Sequence, residues 1–105
     1  MAGKTRKQQI EAMLAEDPND AFLWYGLAME SSGAGDNEGA LKAFAELQTR
    51  FPGYVPGYLQ AGQLLARLGR DDEARATFRA GIETAKRAGD LHAAGEMEGF
   101  LEGLD

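Results

Sequence analysis

Trp24, Leu27, Ala28 and Ser31 are spaced i, i+3, i+4, i+7, which places them along one face of a helix. On the next segment Ala40, Phe44 and Leu47 share a face in the same way. Small Ala and Gly at the crossing let two helix backbones approach, while Trp, Tyr and Phe fill the space above and below. Polar and turn-forming residues punctuate the pattern. Asp36 and Asp71 come shortly after Gly35 and Gly69, the order of a glycine helix stop and then an N-cap. Asp71, Asp72 and Glu73 open one helix and Lys86 and Arg87 close it, both in the sense the helix macrodipole favours. In the stretch FPGYVPGY, Phe51 to Tyr58, Pro52 and Gly53 end one helix. Pro56 fits the first turn of the next, where its missing N–H costs nothing. The stretch reads as a turn inside one repeated architecture, not as a linker between domains.

The pattern recurs at an offset of thirty-four residues. Pro18 matches Pro52, Trp24 matches Tyr58, Gly35 matches Gly69, Ala40 matches Ala74 and Phe44 matches Phe78. Tyr25 with Leu59, Leu47 with Gly81, and Glu38 with Asp72 fall at the same offset. A fixed period in this range signals stacked supersecondary units. The chain resembles the tetratricopeptide repeat family, whose pattern runs W-x2-L-G-x2-Y, then A-x3-F, then P. The first copy reads Trp24-x2-Leu27-Ala28, then Ala40-x3-Phe44, then Pro52; the second reads Tyr58-x2-Ala61-Gly62-x2-Leu65, then Ala74-x3-Phe78. Ser31 and Leu65 replace the tyrosines, and Lys86 stands where a closing proline would be. The resemblance covers residues 18–86. It implies an all-α fold, a right-handed α-solenoid of antiparallel helical hairpins. It also implies that the first helix of each pair lines a concave groove holding a peptide or helix of a partner.

Two repeats alone cannot bury their apolar faces, so the ends of the chain must supply the missing surface. Ile10 and Met13 lie one period before Phe44 and Leu47, so residues 5–16 read as a capping second helix, with Arg6 at its small-residue position. Repeat 1 then spans 18–52 and repeat 2 spans 53–86. Asp90 N-caps a last helix within 89–104, striped by Leu91, Ala94, Met97, Leu101 and Leu104. About six helices in a single domain over 1–105 are expected. Gly95, Gly99 and Gly103 form a row on the last helix. By the repeat register Gly95 and Gly99 face the preceding helix, where Gly81 also lies; a second copy docking on the row is the alternative.

Composition narrows the function. At 105 residues the chain suits one domain, and it has no cysteine, which removes disulfides, thiolate catalysis and Cys-based metal sites. The basic N-terminal stretch lacks the apolar core of a signal peptide, and no run is long enough for a spanning helix. A cytoplasmic setting without membrane contact is expected. A net charge of −6 argues against nucleic acid, which requires a basic face.

No catalytic constellation emerges. His92 is the sole histidine, so neither a His-pair metal site nor a Ser-His-Asp set can be built. The stretch GAGDNEG, Gly33 to Gly39, lacks the Gly-Lys-Ser/Thr ending of a phosphate loop and reads as a helix turn. The expectation is no enzyme, no cofactor and no metal. The apolar face beside the packing stripe is the candidate site. It carries Phe22, Tyr25, Met29 and Ser32, then Pro56, Leu59, Gln63 and Ala66 with Arg67 beside them, then Asp90, Ala93, Met97 and Phe100. From these, Phe22, Tyr25, Met29, Leu59, Gln63, Arg67 and Met97 are assigned to a groove for an apolar peptide or amphipathic helix. Family members that grip a terminal carboxylate use Lys, Asn and Arg there. The matching positions here are Tyr25, Met29, Gln60, Asp90 and Ala94, without a cation, although Arg67 lies nearby. Homodimerisation through the same apolar surface, or through the glycine-striped last helix, is the rival reading.

Overall fold

A computed structural model describes residues 3–104. Among them all regular structure is α-helical: α1 (Arg6–Glu16), α2 (Ala21–Gly33), α3 (Asn37–Arg50), α4 (Val55–Arg67), α5 (Asp71–Arg87) and α6 (Leu91–Gly103). The chain forms two compact units, α1–α3 ending at Phe51 and α4–α6 beginning at Pro52. Their border falls inside FPGYVPGY.

Three helices end alike. Gly35, Gly69 and Gly89 take φ of 82°, 75° and 75°, the left-handed region a side chain disfavours. The next residue's N–H then reaches back to a helix carbonyl: Asp36 to Ser31 at 2.9 Å, Arg70 to Leu65 at 2.9 Å, Asp90 to Ala85 at 2.8 Å. Each is a Schellman stop, and it fixes the following residue as the next N-cap. At Asp36 and Asp90 that residue caps with its own carboxylate, accepting from the Gly39 and Ala93 N–H groups. At α5 the capping position falls on Arg70, which makes no side-chain cap bond. Asp71, expected as the cap, is instead the first helical residue and acts on the macrodipole alone. Two further caps are Asp20, accepting from Phe22 and Leu23, and a Thr5–Gln8 capping box. The Gly39 N–H, and secondarily Lys7, hold the Asp36 carboxyl below its ordinary pKa. Such a group favours folding above the ordinary aspartate range, and that contribution is lost as pH falls through the lowered value.

In the first unit Ile10, Leu14, Ala28, Ala40, Phe44 and Leu47 are buried. α1 lies on α2 with Ile10 against Gly26, and Arg6 pairs with Glu30 at 2.7 Å. Leu14, not Met13, completes the inward stripe of α1, and Met13 is 51% exposed. A spacing of four from Ile10, rather than three, reaches the covered side.

In the second unit Tyr58, Ala61, Leu65, Phe78, Ala94 and Met97 are buried. Two glycines set the closest approaches. A Cβ on Gly62 would collide with the Phe78 ring, and one on Gly81 would sit 2.5 Å from Met97 Sδ and 2.6 Å from Tyr58 Cβ. The row of Gly95, Gly99 and Gly103 behaves otherwise. All three are exposed, with nothing within 4 Å of a built Cβ, so Gly95 and Gly99 do not face α5 as expected. Ala93, Ala94 and Met97 hold the covered side of α6, and Leu91, at its very start, is 71% exposed rather than part of the stripe.

Candidate partner-binding surface

Gln63 and Arg67 stand one turn apart on α4, the first half-buried and the second exposed. Opposite them α6 brings Gly99, Phe100 and Gly103, and α5 supplies the floor through Phe78. Gly62 makes this possible, because only a residue without a Cβ lets the Phe78 ring lie against α4. Phe78 is fully buried, and Phe100 stacks on it with ring centroids 5.7 Å apart and planes 11° from parallel. Phe100 is itself 43% exposed, so part of its surface remains open to a ligand. Together these residues line a cleft of about 410 Å³ within the second unit. Where Gly99 and Gly103 border it, the absence of side chains keeps it open.

Arg67 is the single charged residue lining the cleft, and it makes no ion pair or hydrogen bond among the described residues. Its place in the last turn of α4 also suits the helix macrodipole. The neighbouring cations are engaged. Arg70 pairs with Glu73 at 2.8 Å, and Arg75 bonds Asp72 at 2.8 Å and the Leu104 carbonyl at 2.8 Å, which closes the end of α6. A more polar hollow of about 560 Å³ elsewhere in this unit is bordered by Glu83 and Arg87, which neutralise each other.

The residues assigned from sequence divide. Gln63 and Arg67 meet at the cleft. Leu59 is half-buried on α4 and does not line it. Met97 has no exposed surface; it fills the space left by Gly81 and belongs to the interior, so it cannot touch a partner. In the first unit Phe22 and Met29, 66% and 37% exposed, flank half-buried Tyr25 on one side of α2. Sequence reasoning missed Phe78, Gly99 and Gly103 as lining residues. The period marked Phe78 only as core, and the glycine row was turned the wrong way.

Among the described residues no group of three His, Cys, Asp or Glu is placed to hold a metal ion. His92 is a surface residue beside Glu96, at 3.2 Å. No helix among them is long and apolar enough to cross a membrane.

Comparison with known proteins agrees with the repeat. A tetratricopeptide repeat family model matches residues 32–95. A TPR repeat-containing protein of Pseudomonas aeruginosa is 33% identical over 96 residues, covering 91% of both chains. The solution structure of a tetratricopeptide repeat domain protein from Salinibacter ruber is 35% identical, covers 85% of this chain and 90% of its own, and superposes with a TM-score of 0.80. PcrH, in a crystal structure of its complex with the chaperone binding region of PopD, shares the fold at a TM-score of 0.86 with 20% identity, covering 93% of this chain and 74% of its own. With the 34-residue period, the paired helices and these relatives together, the chain belongs to the tetratricopeptide repeat family.

Proposed function

We propose that this protein is a non-catalytic interaction adaptor that holds an apolar peptide or an amphipathic helix of a protein partner. The observation that carries the reading is the cleft between α4 and α6, where the aromatic Phe100 remains partly exposed above buried Phe78. Exposed apolar surface of this kind is retained where something covers it. The first unit carries its own apolar patch, Phe22 and Met29 around Tyr25. That PcrH was solved with a segment of PopD shows that a similar fold can seat part of another protein. The net charge of −6 disfavours nucleic acid as the ligand, and the absence of cysteine suits a cytoplasmic setting.

Affinity capture from the native cell extract tests this. The variant Phe100→Ala, which removes the partly exposed aromatic surface of the cleft, is expected to lose the captured protein while far-UV circular dichroism stays unchanged. Undiminished capture by the variant would reject the cleft as the contact. Self-association is the second reading, favoured by the open glycine row on α6. Sedimentation over a concentration series separates the two, since an adaptor stays monomeric and a self-assembly module forms a tight dimer that hides the same apolar side chains.

A further inference from the structure

We propose that the cleft between α4 and α6 selects segments in which an apolar pair is followed, one turn on, by an acidic side chain, with Arg67 receiving the carboxylate. This inference rests on the adaptor reading and names the chemistry of the partner at that site.

Volume sets the apolar part. A closed cavity of about 150 Å³ accommodates benzene, and this cleft is about 410 Å³. It has room for two apolar side chains at i and i+4, the spacing one helix face presents. Phe78 and Phe100 supply the aromatic surface against which they bury. Charge sets the acidic part. Arg67 is the one charge on the lining and lacks a partner among the described residues, while Arg70 and Arg75 beside it are occupied. In a chain of net charge −6, an acidic ligand is repelled at long range, so only a carboxylate delivered directly to this guanidinium is favoured. The planar fork of Arg67 fits a carboxylate in bidentate fashion. Gln63, one turn away, is the one amide on the lining and orients the ligand backbone. One cation suits a side-chain carboxylate within a segment better than a terminal one, since no second cation lines the cleft.

The test uses the full chain and three helix-forming peptides, each acetylated and amidated, with leucines at i and i+4 and Glu, Gln or Lys at i+8. Fluorescence anisotropy is expected to rank them Glu, Gln, Lys, with Glu about five- to tenfold tighter than Gln, between the gain of an exposed ion pair and that of a hydrogen bond to a charged group. Arg67→Gln should erase that preference, and Arg67→Glu should invert it. Gly99→Leu serves as a blocking variant that folds. A Cβ there meets nothing within 4 Å, so the side chain enters the cleft and the helix gains propensity. It should abolish binding of all three peptides while raising the thermal midpoint. Equal affinity for the three peptides, tightest binding of the Lys peptide, or a Glu preference that survives Arg67→Gln would each overturn the proposal, as would no binding of any peptide by the unmodified chain. Charge-blind binding that Gly99→Leu abolishes would remove the acidic selectivity and leave the adaptor reading standing.

Discussion

Glycine plays two opposite parts in the second unit. At Gly62 and Gly81 the missing Cβ is space already taken, by the Phe78 ring in one case and by Met97 and Tyr58 in the other. At Gly95 it is merely absent, with open surroundings on an exposed helix. The same change to alanine should therefore have opposite signs. Gly62→Ala and Gly81→Ala force overpacking and are expected to destabilise by about 1–3 kcal/mol. Gly95→Ala removes helix-interior backbone freedom and should stabilise by about 1 kcal/mol. In thermal melts the last change corresponds to a rise of roughly 4–8 °C for a domain of this size. A fall in the midpoint for Gly95→Ala would mean that something covers that face in solution.

Between residues and the whole chain, each repeat carries a latch that ties the start of its first helix to the proline before it. Trp24 Nε1 donates to the Pro18 carbonyl at 2.8 Å, and thirty-four residues on the Tyr58 hydroxyl donates to the Pro52 carbonyl at 2.7 Å. Two chemically different side chains thus perform one task, and this explains why tryptophan and tyrosine are interchangeable at that offset. Arg50 lies 5.3 Å over the Trp24 ring and adds a cation–π contact to the first latch. Tyr58→Phe removes one hydrogen bond whose acceptor lies on an exposed proline, so the loss should sit near the low end of about 0.5–1.5 kcal/mol. Trp24→Phe loses the bond and ring area and weakens the arginine contact, and should cost more. Urea denaturation of the two variants side by side measures the order, and a reversed order would count against the latch as the element that seats α2.

At the scale of the molecule, charge governs how copies meet. Seventeen acidic residues against eleven basic ones leave the chain at −6 near neutrality, which opposes association of copies through exposed Phe22, Leu91 and Phe100. Residues 88–104 contain no Lys or Arg but include Asp90, Glu96, Glu98 and Glu102, so two α6 helices repel one another at neutral pH. Salt screens that repulsion without removing the apolar surface. Light scattering should accordingly stay low at low ionic strength and rise as salt is added, with the folded helix signal still present at the onset. Scattering that is already high at low salt would favour self-assembly over the adaptor.

Much of this was legible in the chain itself, for local reasons. Helix stops at Gly35 and Gly69, the caps at Asp36 and Asp90, the place of Pro56 and the pairing of Phe44 with Phe78 all follow from backbone stereochemistry and one period, which need no knowledge of distant neighbours. The family follows from the same period. Tertiary structure alone decided which neighbour covers each side of a helix. Periodicity finds the stripe on α1 yet cannot choose between Met13 and Leu14, and it cannot tell that Met97 points into the space of Gly81. The largest reversal is on α6, where His92, Gly95, Glu96 and Gly99 occupy the offsets that α3 and α5 cover on α2 and α4. No helix follows α6 among the described residues, so that side is exposed, and Gly99 becomes the wall of a cleft with Arg67 on its border. Repeat register carries a residue's angular position from one copy to the next, but burial depends on the neighbour, and that is a property of the packed molecule.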